Sequence, residues 1–183
     1  MQIHQLQLSY VAAEDRILLR VSTVERDEIR IWLTRRFTAG IVPVLRRCTE
    51  HLAEYRLAKN KSPNFTVQDA YVRRSMAEFE AERHLSAADF KTPFVEQSRQ
   101  VLLGGQTMLP AEAQVTPFAN GLTRIVLKGE PQPITIELNE QLLHALLRLL
   151  TEVQASTEWG LDLRLPASPP PADEAAPEKR LLN

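Results

Sequence analysis

The sequence predicts an α+β fold of two pseudo-symmetric βββα units, antiparallel strands packed against a helix, with a helical insertion between them. Three observations predict it. Arg16-Ile17-Leu18-Leu19-Arg20 aligns with Arg124-Ile125-Val126-Leu127-Lys128, and Ile29-x-Ile31-x-Leu33-Thr34 then aligns with Ile134-x-Ile136-x-Leu138-Asn139 after a shorter turn. Behind these runs, Phe37, Ile41, Val42, Val44, Leu45 and Cys48 match Leu142, Leu146, Leu147, Leu149, Leu150 and Val153. In both halves the apolar period is two and then becomes helical, the change expected where strands give way to an amphipathic helix. Repeated units of this kind bury their apolar faces on one another, here about an approximate twofold axis with each helix on its own strands.

The elements follow in order. Leu6, Leu8 and Tyr10 alternate with Gln5, Gln7 and Ser9, the pattern of a half-buried strand. Ala13-Glu14-Asp15 turns the chain, and Ile17, Leu19 and Val21 form the inner face of a second strand. After Glu25-Arg26-Asp27-Glu28, Ile29, Ile31 and Leu33 face one way while Arg30 and Trp32 face the other. Thr34 is placed to cap the following helix, because its hydroxyl can accept from an orphan amide. The helix stripe is Phe37, Ile41, Val44, Leu45, Cys48, Leu52 and Tyr55. Gly40 and Pro43 should kink it or delay its regular start, since Pro43 has no amide hydrogen to give Ala39.

Lys59 to Asn64 reads as a break, Val67 to His84 as a charged helix with Val72, Met76 and Phe79 as its contact stripe, and Ser86 to Gly105 as an irregular connector with packing points at Phe90, Pro93 and Phe94. The second unit opens with a loose strand around Ala113 to Ala119, followed by strands at Thr123 to Lys128 and Ile134 to Leu138. Asn139 caps a helix burying Leu142, Leu143, Leu146, Leu149, Leu150 and Val153, and Trp159 to Leu165 alternates like a final strand. Residues 1–165 are thus expected to form one domain of two repeats, 1–58 and 106–165, with insertion 59–105. The Pro-, Ala- and Glu-rich residues 166–183 lack the apolar content that would offset ordering, so a disordered tail is expected.

Composition narrows the function classes. The chain has 183 residues, 44% hydrophobic and 25% charged, with a formal net charge of −1. That balance supplies no global field for nucleic acid or membrane, so any such binding needs a local patch. No apolar run is long enough to cross a bilayer, nothing near Met1 reads as a secretory signal, and one cysteine, Cys48, fits a reducing compartment. A cytoplasmic location is expected.

Two features point to anion binding. Thr34-Arg35-Arg36 places two arginines at a helix start, where carboxylates are ordinarily preferred and Asn139-Glu140 obeys that preference. These arginines and the free amides suit an anion; otherwise they pair with Glu25, Asp27 or Glu28, or face solvent. Strand parity also sends Arg16, Arg20, Arg30, Trp32, Arg124 and Lys128 outward, basic residues with an aromatic as on single-stranded nucleic-acid platforms. Glu137 and Asp162 share that parity, and edge-guarding cations look the same.

Other chemistry has little sequence support. Cys48 and His51 lie three apart on one helix and Glu80 and His84 four apart on another, but nothing in the spacing brings the pairs together. Structural zinc needs four convergent ligands. Cys48 fits a buried thiol, His144 falls on the polar face of its helix, and Leu103-Gly104-Gly105-Gln106 reads as a hinge without a phosphate-loop lysine. No catalytic residue, metal or cofactor is expected. Trp32-Leu33-Thr34-Arg35-Arg36, with Ala88-Asp89-Phe90-Lys91-Thr92-Pro93-Phe94 downstream, resembles a group of small uncharacterised bacterial proteins. The strands-then-helix order of both halves resembles the PUR-repeat and Whirly single-stranded nucleic-acid binders. That resemblance implies binding on the sheet faces. The leading expectation is therefore a non-enzymatic binder of single-stranded nucleic acid. The alternative is a protein-interaction adaptor using the inserted helix, the connector and the tail.

Overall fold

Alternating apolar residues and short charged turns build two sheets in the computed structural model, which describes residues 3–60, 70–86, 94, 100–161 and 163. The fold is α+β, with three helices among the described residues. In the first sheet β1 (Ile3–Val11) pairs with β2 (Arg16–Thr23), and β2 with β3 (Asp27–Leu33). Helix α1 (Arg35–Asn60) follows, then α2 (Ala70–Ser86). A two-residue strand, β4 (Gln100–Val101), adds to β3 in parallel, so the expected insertion contributes an edge to the first sheet. The second sheet comprises β5 (Leu109–Pro117), β6 (Leu122–Glu130) and β7 (Ile134–Asn139), and α3 (Glu140–Gln154) follows it.

The sheets join at Met108, whose amide donates to the Arg30 carbonyl at 2.8 Å while its carbonyl accepts from the Trp32 amide at 2.7 Å. Ile17, Leu19, Val21, Ile29, Ile31 and Leu33 of the first sheet share one core with Ile125, Leu127, Ile136 and Leu138 of the second. Val42, Leu45, Cys48 and Leu52 of α1 and Leu143, Leu146 and Leu150 of α3 complete it. At the centre the two sheets and two helices leave a void of only about 30 Å³.

Both helix caps form as expected. The Thr34 hydroxyl accepts from the Phe37 amide at 3.2 Å, and the Asn139 side chain accepts from the Leu142 amide at 2.8 Å. Pro43 lies inside α1, on its exposed side.

Several expectations are corrected. Helix α1 runs through Lys59 and Asn60, where a break was expected. The helices do not sit simply on their own strands: the α1 backbone approaches β5 most closely, and α3 approaches β1 as well as β6 and β7. Both inner sheet faces look into one core, so each helix fills the gap at the edge of the opposite sheet. Tyr55 and Phe79 are exposed rather than packed, and Ala77 is the buried residue among the described side chains of α2. Trp159, Gly160, Leu161 and Leu163 form no strand. Trp159 and Leu163 are buried as anchors, and Gly160 turns the chain between them at φ 61°. His144 is buried, because α2 covers the helix face on which it lies. The expected tail, residues 166–183, and the connector points Phe90 and Pro93 lie outside the described residues.

Candidate functional site

The outward face of the first sheet is built around a carboxylate. Antiparallel register sets Arg20 directly opposite Arg30, a like-charge pair that would repel. Glu28, two residues before Arg30 on the same face, resolves it. Its carboxylate is fully buried and accepts from Arg20 Nε at 3.0 Å, Arg20 Nη2 at 2.9 Å and Arg30 Nε at 2.7 Å. Arg20 also donates to the Gln7 side chain at 2.9 Å, and its guanidinium lies 4.4 Å from the centre of the Phe94 ring. Arg20 is thus a largely covered structural group, and Trp32 beside Arg30 is half-buried.

The other outward cations are also matched. Arg16 lies 3.9 Å from Glu14, Arg124 lies 2.8 Å from Glu137, and Lys128 lies 3.7 Å from Glu112. Arg16, Arg20, Arg30 and Trp32 share one sheet, whereas Arg124 and Lys128 share the other. Arg35 and Arg36 are exposed at the start of α1 and form no ion pair with a described residue. Arg35 contributes to the field that lowers the Asp15 carboxyl below 3.8, after the larger effects of hydrogen bonds from Trp159 and Tyr10. Arg36 lines a surface groove between α1 and β5. The expected patch is therefore divided between two sheets and a helix end, and its sheet cations are largely neutralised.

A second constellation lies where the three helices meet. Glu80 and His84, one turn apart on α2, face the first turn of α3. Glu140, at that helix start, is favoured there by the positive end of the helix dipole. His84 Nε2 lies 3.2 Å from Glu140 Oε2 and 3.8 Å from Glu80 Oε2. Arg56 of α1 donates to both carboxylates, and Arg83 lies 2.7 Å from Glu80. The His84 and His144 rings stack with centres 5.3 Å apart. Burial, followed by the electrostatic influence of neighbouring His84, pushes the His144 imidazole down to about 4.

His144 also lines a groove of about 670 Å³ between α1, α2 and α3. Ala77, Ala81, Leu85 and Leu147 supply apolar surface, while Glu50, Glu78, Glu82, Arg46 and Arg148 supply charge. Sequence reasoning missed this junction because its members come from three separate helices. One signal was present: Glu-x-x-x-His occurs at Glu80–His84 and again at Glu140–His144. That spacing puts each pair on a single helix face. No protein-family model, no curated protein and no solved structure matches the chain.

Proposed function

We propose that this chain is a non-enzymatic protein-interaction adaptor that takes a basic amphipathic helix of a partner in the groove between α1, α2 and α3. The observation that carries this reading is the groove itself, about 670 Å³ in volume with an apolar floor and charged walls. Amphipathic helices dock in such grooves through residues spaced three and four apart. Glu50, Glu78 and Glu82 outnumber Arg46 and Arg148 on the walls, which favours a cationic helix. Exposed Tyr55 on α1 and Phe79 on α2 add large side chains to the same helical layer.

In this reading the halves ending in α1 and α3 are pseudo-symmetric copies, and the inserted α2 makes the binding surface by lying across both of their helices. The adaptor would act in the cytoplasm. Single-stranded nucleic-acid binding is the second reading, favoured by exposed Arg35 and Arg36 near half-buried Trp32. Its weakness is the carboxylate partner beside each outward sheet cation.

Selection of displayed amphipathic helices against the full chain tests the proposal, with each hit remeasured by fluorescence anisotropy. Binding should require basic residues and should be lost in Ala81→Arg, a groove change, while surviving Arg35→Gln/Arg36→Gln. Hits that ignore Ala81→Arg would overturn the groove assignment. An oligonucleotide shift that depends on Arg35 and Arg36, with no helix selected, would promote the second reading.

A further inference from the structure

We propose that the junction of α1, α2 and α3 is a binding site for a divalent transition-metal ion, zinc in the first instance, with Glu80, His84 and Glu140 as its protein ligands. The assignment concerns the junction alone and holds whatever occupies the neighbouring groove.

Convergence is the first argument. One ligand atom from each of Glu80, His84 and Glu140 lies within 4.8 Å of the other two. Tetrahedral zinc with bonds near 2.0–2.1 Å sets neighbouring ligand atoms about 3.3 Å apart. His84 Nε2 stands 3.2 Å from Glu140 Oε2 and 3.8 Å from Glu80 Oε2, so two of the three edges are already close to that spacing. The third edge, between the Glu80 and Glu140 oxygens, lies within 4.8 Å and has to shorten for a metal to bind. Three protein ligands leave a fourth position open for water or another donor.

Donor chemistry and support agree with this. One imidazole and two carboxylates suit zinc and its neighbours in the first transition row. All three side chains are less than one-fifth exposed, so their orientations are constrained by packing. The Glu140 carboxylate also lies over Gly121, where an added Cβ would stand 2.8 Å from Oε1. The close backbone there limits the positions Glu140 can take.

Arg56 and Arg83 are the competing cations. Arg83 lies 2.7 Å from Glu80 Oε2, and the Arg56 guanidinium bonds both carboxylates, holding oxygens that a metal would take. The Arg56 side chain is 28% exposed, so it can swing into water without disturbing α1. Metal binding and the Arg56 ion pairs are therefore mutually exclusive, and removing Arg56 should favour the metal.

The test uses the full chain, stripped with chelator and titrated with zinc chloride by calorimetry and with cobalt(II) by visible absorption. Wild-type protein should bind one ion, and zinc should raise its melting temperature. His84→Ala and Glu140→Gln should each weaken zinc at least about tenfold, whereas Arg56→Ala should tighten it. His51→Ala, which removes the exposed pair with Glu54, should change nothing. Failure of the wild type to bind, retention of affinity in both ligand variants, or loss in His51→Ala would each overturn the site. Should the ligand variants not fold, the wild-type cobalt spectrum decides. Intense tetrahedral bands support the assignment, and a weak octahedral spectrum rejects it.

Discussion

The Arg20 guanidinium grips the carboxylate of Glu28 through two hydrogen bonds, of 3.0 and 2.9 Å, on a sheet face expected to offer its arginines to a ligand. Glu28 is fully buried, and replacing Arg20 removes the partner that makes two of its charge-assisted hydrogen bonds while Arg30 stays in place. Breaking a buried pair from one side costs about 3–5 kcal/mol. Arg20→Gln should lower unfolding free energy by that order in urea titration, whereas Lys128→Gln, at an exposed surface pair, should stay within about 0.5 kcal/mol. Equal effects would mean that Glu28 is not held as described.

Trp159 holds the end of the described chain to the first hairpin. Its indole Nε1–H donates to the Asp15 carboxylate at 2.6 Å, and Tyr10 donates to the same oxygen at 2.8 Å. Both bonds favour ionised Asp15 and lower its pKa below 3.8. A carboxyl depressed in the folded state adds stability above its unfolded pKa and loses it as pH falls through the folded value. Trp159→Phe should therefore reduce stability near neutrality and flatten the acid limb below about pH 4. Thermal melts from pH 2 to 7 check it, and an unchanged acid limb would contradict the contact.

Gly129 permits a close approach of two strands. A Cβ there would stand 2.1 Å from the Leu109 carbonyl oxygen and 2.8 Å from the Pro110 Cα. Backbone atoms cannot give way as a flexible side chain can. Gly129→Ala should destabilise by roughly 1–3 kcal/mol or more, measured by denaturant unfolding against Gly40→Ala, where the added atom meets open space.

Cys48 is buried, and burial pushes its thiol above 9.0. A thiolate-selective reagent should label the native chain slowly at pH 8 and the urea-unfolded chain at once. Rapid native labelling would show that the α1 face opens readily.

Oligonucleotide affinity should be weak, because the outward sheet cations are matched by carboxylates. Any shift seen at low salt should depend on Arg35 and Arg36. Their double glutamine variant should reduce the salt slope by about 0.7 for each phosphate that is no longer neutralised. A steep slope left unchanged by that variant would require a different cationic surface.

Period-two alternation, the helical stripes and the side-chain caps by themselves determined most of the regular structure: the three strands before α1, the three before α3, and the caps Thr34 and Asn139. These depend on residues near one another in the chain, so their physics is legible locally. Residue type also determined that Cys48 would be buried. What Glu28 does was readable only in part, because its parity with Arg30 is local while its pairing with Arg20 needs the β2–β3 register. Only the tertiary structure decided that α1 lies near β5 and α3 near β1, since either sheet offers an apolar face to either helix. It also decided that Trp159 would be an anchor rather than a strand residue, through Asp15. The junction of Arg56, Glu80, His84 and Glu140 required the packing of three helices, because ion pairs between distant segments follow from where backbones are brought together.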